Sequence, residues 1–221
     1  FFKANFDIGL CLSVKYFSKN TCQFLFYLNM RQSGVKSGKV ISLHKIYPFV
    51  FDVFRVQSEE PVTVDLPFWY TGHIMQHNAD LKSAETLSAL GSGHGYQHIW
   101  QTASGKPLED NMQMTWFTHG KFYTKTGSAA PGDVVITGLL GAKDPHFNLR
   151  HDPVWIQRRT GLTKGTIVSA IEAHGDYSPV SEIPLRPFPA ITGVQTQLDN
   201  EQYTVLRVVT RQNTSYTICL A

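Results

Sequence analysis

Tyr96, His98 and Arg150 are the residue types that can remove a weakly acidic proton beside a sugar carboxylate. In that chemistry a His, Asn or Arg donor neutralises the carboxylate, and a Tyr or His then takes the proton. His146 shares with Arg150 the stretch Asp144-Pro145-His146-Phe147-Asn148-Leu149-Arg150, which Pro145 stiffens. Such a loop can bind an anion through His146 and Arg150. Equally, Asp144 can pair with Arg150 and simply hold the loop. These residue types are common on strand surfaces and in cores, so only their convergence in space decides between the readings. Tyr96, His98, His146 and Arg150 are the substrate-binding candidates, and no residue is assigned a catalytic role.

Other constellations point away from familiar sites. His73 and His77 stand four apart, as do His94 and His98. In extended chain that spacing is about 13 Å, which a single zinc with bonds near 2 Å cannot bridge. No HExxH pattern occurs, so neither a metal nor a cofactor is expected on this chain. Gly91-Ser92-Gly93-His94-Gly95 lacks the lysine of a phosphate loop and reads as a tight loop needing positive φ. No serine sits in a GxSxG elbow. Cys11, Cys22 and Cys219 make no disulfide framework, and Cys11 and Cys22 are open to either a bond or free thiols. Trp69 with Tyr70, Trp100, Trp116 and Trp155 offer stacking platforms for sugar, or core and interdomain packing.

These residues need a scaffold, and the 221-residue chain is long enough for one sizeable core. Its glycines and prolines are spread as turns between runs rich in Thr, Val, Tyr and Phe. Residues 47–56 alternate apolar and polar, Glu59-Glu60-Pro61 reads as a turn, and 62–70 reads as a second strand. Further strands are expected at 96–102, 113–117 with 121–126 about a His119-Gly120 turn, 134–140, 154–160, 166–171, 193–198 with 202–210, and 215–220. Residues 80–90 read as one or two helical turns or a loop. The expected fold is therefore all-β, an antiparallel β-sandwich of many strands with little helix.

Residues 1–46 form a basic head, without period, read as either disordered or divergent in its strands; residues 47–221 form the β-sandwich domain. Of the 20 Lys and Arg, seven fall in the first fifty residues beside one acid, Asp7. A net charge of +3 argues against nucleic acid as a partner. No apolar run approaches the roughly 18–20 residues of a membrane span. The chain starts at Phe1 without a signal-cleavage pattern and reads as a fragment or processed chain.

Several motifs follow one another in a recognisable order: Phe51-Asp52-Val53-Phe54-Arg55-Val56, Asp65-Leu66-Pro67, Tyr70-Thr71-Gly72, and Gly95-Tyr96-Gln97-His98. The 144–150 loop with Asp152-Pro153, and then Glu172-Ala173-His174-Gly175-Asp176-Tyr177, continue the series. In this order they resemble the landmarks of oligoalginate lyases in the heparinase II/III-like polysaccharide lyase superfamily, within the C-terminal β-sandwich part. The resemblance implies an α/α toroid joined to β sheets, and exo-acting β-elimination on short alginate chains. It implies a Tyr acid/base with Asn and His on the toroid, and a structural zinc bound by His and Asp upstream of the matched stretch. None of those catalytic or zinc motifs can be placed on this sequence. The expectation is thus a C-terminal lyase domain without its toroid, inactive alone and periplasmic or secreted. Its expected partners are a uronic-acid oligosaccharide and the parent enzyme's toroid. The alternative is a non-catalytic carbohydrate-binding or structural sandwich.

Overall fold

The computed structural model describes residues 11–18, 21–27, 35–44, 49–142, 151–200 and 203–220, with backbone alone for the stretches before residue 49. Two long strands organise it. Strand β4 (Phe49–Trp69) and β11 (Pro153–Ser178) run antiparallel, from Glu172 against Phe49 to Val154 against Trp69. Their register shifts twice between Arg159 and Lys164. Gly161 takes φ +72° there, the left-handed backbone that a bulge residue adopts most cheaply as glycine.

This is a correction to the sequence reading, which placed a turn at Glu59-Glu60-Pro61 and a break between Gly161 and Gly165. Both strands bend through a bulge and continue. Pro61 has no N–H to lose where β4 and β11 are locally unpaired.

The bend divides the sheet into two layers. One layer joins the 153–159 half of β11 to β10 (Val134–Leu140), β7 (Ile99–Pro107) and β6 (Ala79–Ala89). The other joins the 164–178 half to β9 (Lys121–Ser128), β8 (Asn111–Thr118) and β5 (His73–His77), with the short β12 (Ile183–Leu185) paired to the end of β11. Strands β1 (Cys11–Ser18), β2 (Thr21–Tyr27) and β3 (Val35–His44) extend the sheet beyond the 49–58 half of β4. In the β1–β2 register Cys11 faces Tyr27 and Cys22 faces Tyr16. That offset of five residues is about 16 Å at strand rise, out of disulfide reach.

Residues 80–90 are also corrected. They form the edge strand β6 and no helical turn, because pairing with β7 supplies backbone partners that an isolated helical turn would lack. The strand expected at 96–102 is a further correction: Gly95 (φ +91°) turns the chain into a 3-10 turn at Tyr96–His98, and the strand runs Ile99–Pro107. The other expected strands lie near their expected bounds, and His119 (φ +50°) with Gly120 (φ +76°) makes the two-residue hairpin turn. A separate sheet, β13 (Ile191–Asp199), β14 (Thr204–Thr210) and β15 (Ser215–Leu220), packs on the outside.

Three apolar clusters hold these parts. Met112, Met114, Trp116, Val135 and Trp155 fill the space between the two layers. Ile136, Val154 and Ile156, on the opposite face of β10 and β11, form a second cluster with Ile99. Phe51, Val53, Val168 and Ala170 meet Ile191, Val194, Leu206 and Val208 of the small sheet. A carboxylate clamp reinforces that last seam: Asp199 accepts from Arg55 Nε at 2.9 Å and from the hydroxyls of Thr166 and Thr204.

Candidate functional site

At one end of the sandwich the interior opens into a cleft of about 560 Å3. Trp69 and Tyr70 enter it from the end of β4, Trp116 and Thr118 from β8, and Tyr123 from β9. Leu140 at the end of β10 and Asp152 just before β11 line it beside Tyr70, because Pro153 pairs with Leu139 and the Pro153 carbonyl accepts from Tyr70 N; Thr71 completes the lining. The two-residue turn sets Trp116 opposite Tyr123, and their rings stack at 5.3 Å with 18° between planes. Phe68 stacks on Tyr70 at 6.5 Å and meets Trp116 edge-on at 5.2 Å. Trp69 is 44% exposed. Beyond Tyr70 the chain crosses β8 so closely that a Cβ on Gly72 would lie 2.0 Å from the Phe117 carbonyl oxygen. Only glycine allows that approach, which seats Tyr70 and Thr71 against the wall.

The polar groups are few. Thr71 and Thr118 hydroxyls lie 3.2 Å apart, and Thr118 Oγ1 is 2.9 Å from His119 Nδ1. Burial pushes the Tyr70 phenol up to about 12, so it is a neutral hydrogen-bonding group and a poor base at neutral pH. Among the described residues, Asp152 is the one charged residue of the lining. Flat aromatic faces with a few hydroxyl and carboxylate partners suit a ligand with an apolar ring face and hydroxyl edges.

The sequence candidates lie elsewhere. Tyr96 sits on a 3-10 turn (Tyr96–His98) and packs on the outer face of the β10–β11 layer, away from the cleft interior. Its phenol donates to Asp65 Oδ2 at 2.5 Å, and Arg158 donates through Nε and Nη2 to the same carboxylate, each at 2.7 Å. Burial, then the Asp65 hydrogen bond, pushes the Tyr96 phenol up to about 12. Burial also acts to raise Asp65, but hydrogen bonds from Arg158 and Tyr96 outweigh it and hold the carboxyl below its usual range. His98 is exposed, and its carbonyl accepts from Gly141 and Ala142, which follow Leu140 of the cleft wall. His146 and Arg150 lie outside the described residues.

His77, far from ligating, packs its ring 6.0 Å from Trp155. Among the described residues no three His, Cys, Asp or Glu side chains gather to hold a metal. The structural zinc implied by the resemblance therefore has no ligand set among them. Of the tryptophans, Trp155 is core, Trp116 is both core and cleft wall, and Trp100 packs edge-on against His151 at 5.4 Å. Sequence reasoning missed Thr118, Tyr123, Leu140 and Asp152 as cleft residues. One signal was available: a two-residue turn at His119-Gly120 dictates that 116 pairs with 123.

No family model matches the chain. Over 137 residues it is 35% identical to the alginate lyase of Stenotrophomonas maltophilia (strain K279a), covering 61% of this chain and 18% of that protein. Over 135 residues it is 31% identical to the exo-oligoalginate lyase of Saccharophagus degradans, covering 59% and 18%. The chain is related to polysaccharide lyases. Among solved structures, heparan sulfate lyase HepC from Pedobacter heparinus superposes on 95% of this chain and 27% of its own, with TM-score 0.55 and 6% identity. A heparinase III covers 94% and 27%, with TM-score 0.52 and 8% identity. These structures share the fold of this chain. The chain spans about a fifth of the length of the curated proteins it matches.

Proposed function

We propose that the chain is the C-terminal β-rich part of an alginate-type lyase, and that it holds a uronic-acid oligosaccharide in the aromatic cleft. The elimination itself then belongs to a helical toroid outside this sequence. One observation carries the reading: a stacked aromatic cleft in a chain 35% identical to an alginate lyase. Among the described residues the lining holds no arginine or histidine beside its tyrosines, and it offers sugar a seat of aromatic faces and hydroxyls. That same feature favours the second reading, a carbohydrate-binding module without chemistry. His98, exposed next to Gly141, is proposed as a further contact for a saccharide extending from the cleft, and the sequence candidates His146 and Arg150 are proposed as contacts of the same sugar. Tyr96 enters this proposal as the support of that turn.

Alginate oligomers titrated into the chain are expected to quench tryptophan emission, with affinity lost in Trp69→Ala. Absorbance of the unsaturated product should stay flat on long incubation, because losing an oriented catalytic set costs orders of magnitude in rate. Absence of binding would overturn the saccharide reading. Product that disappears in Tyr70→Phe would make the cleft an active site.

A further inference from the structure

The space between the two layers changes character away from the cleft. On the inner face of β9, Tyr123 lines the cleft and Gly127 lies four residues further on, about 13 Å at strand rise. On the inner face of β11, Gln157 follows Trp155, and Ser169 precedes Ile171 beyond the bend. Gln157 and Ser169 are each 1% exposed.

The Gln157 amide has one possible orientation. Its Nε2 donates to the Ser128 carbonyl at 2.9 Å and to Asp133 Oδ2 at 2.8 Å. Both partners are acceptors, so nitrogen and oxygen cannot be exchanged. Oε1 is thereby turned away from them. Among the described residues neither Gln157 Oε1 nor Ser169 Oγ has a hydrogen-bond partner, and a buried oxygen left so is costly.

The two oxygens border one space. Ser169 pairs across the strands with Gly127. A Cβ on Gly127 would meet Ser169 Cβ at 3.6 Å, the Val168 carbonyl oxygen at 3.7 Å and Gln157 Oε1 at 3.8 Å. The missing side chain of the glycine leaves room where these groups converge.

From this convergence we infer that the space beside Gly127 is a binding site for one buried water molecule, which ties the two halves of β11 together across the bend. The hydrogen bonds balance. Ser169 Oγ donates to the water, and the water donates to Gln157 Oε1 and to the Val168 carbonyl. About three partners is what a buried water takes. The water completes a chain from Arg159 through Asp133 and Gln157 to Ser169, and so joins the layer of β10 to the layer of β9. This site is separate from the cleft and independent of what the cleft holds.

A high-resolution crystal structure of the full chain is the direct test. One density peak is expected at about 2.7–3.2 Å from both Gln157 Oε1 and Ser169 Oγ. A direct bond from Ser169 Oγ to Gln157, or to its β4 neighbour Asp52, overturns the inference. An empty space overturns it too, as do contacts near 2.4 Å, the length of a cation's bonds to oxygen. Gly127→Ala gives a second reading. Its methyl would make only ordinary contacts, and the backbone there is not left-handed. A dry space would accept it with the urea midpoint unchanged or raised. Displacing a bound water strands two oxygens, so the midpoint should fall by about 0.5–1 M. Ser169→Ala in that background should recover part of the loss by removing one stranded group. An unchanged or raised midpoint in Gly127→Ala overturns the inference, and so does a fall that Ser169→Ala leaves unrelieved. Should Gly127→Ala not fold, the wild-type density decides.

Discussion

Replacing Tyr96 by Phe separates a structural phenol from a chemical one. The hydroxyl donates to Asp65, whose side chain is 7% exposed and also grips Arg158. A hydrogen bond to a charged partner contributes roughly 1.5–3 kcal/mol, and the half-buried position of Tyr96 puts it at the low end, about 1.5 kcal/mol. With a urea slope of about 2–3 kcal/mol/M, the unfolding midpoint should fall by about 0.5–0.75 M at pH 7. The pH dependence gives the sharper check. Asp65 is held below its ordinary range in the folded chain, because the Arg158 and Tyr96 hydrogen bonds outweigh burial. Its stabilisation is therefore complete above the unfolded value near 3.9 and is lost as pH falls through the folded value. Without the phenol the folded Asp65 moves upward, so less stability is linked to its ionisation. The gap between wild type and variant should be full at pH 7 and close toward acid. Urea titrations at several pH values, followed by tryptophan fluorescence, measure it. A gap of zero at pH 7, or one that does not change with pH, would refute the assignment of the phenol to ionised Asp65.

Three further outcomes follow from the same structure. Asp133 is fully enclosed and accepts from Ala130 N, Gln157 Nε2 and both Arg159 donors at 2.8–3.0 Å; Asp133→Ala should cost about 3–5 kcal/mol by stranding the guanidinium, read as a large loss of urea midpoint. Gly105→Ala would place a Cβ 1.8 Å from the Asp80 carbonyl oxygen, so edge strand β6 must shift, and hydrogen exchange should accelerate in β6 before other strands. At Asp199, burial acts upward, but hydrogen bonds from Thr166, Thr204 and Arg55 hold the carboxyl low; its contribution is present above about pH 4 and lost as pH falls, so exchange in β14 should rise in acid ahead of β10.

Much of this architecture is legible in one dimension. Alternation in Phe51-Asp52-Val53 tells which residues face the small sheet, because side chains on a strand change face at every residue. The His119-Gly120 pair announces a hairpin, since a two-residue turn demands left-handed backbone that glycine adopts freely. A run such as 80–90 is ambiguous by itself: its weak period fits helix or strand, and only the free edge of β7 decides for strand. The continuity of β4 and β11 through Pro61 and Gly161 is likewise tertiary. A glycine or proline ends a strand or bends it according to whether a partner strand waits on the far side. The site shows the same division. Ordered motifs identify a lyase relative, because such order is inherited along the chain. Tyr96 and His98 are neighbours in sequence, yet one is fastened to Asp65 and the other faces solvent. Trp69, Trp116, Tyr123, Leu140 and Asp152 form a cleft from four strands and a connecting residue. No local rule brings those residues together, because their proximity comes from two bent strands folding one sheet over the other.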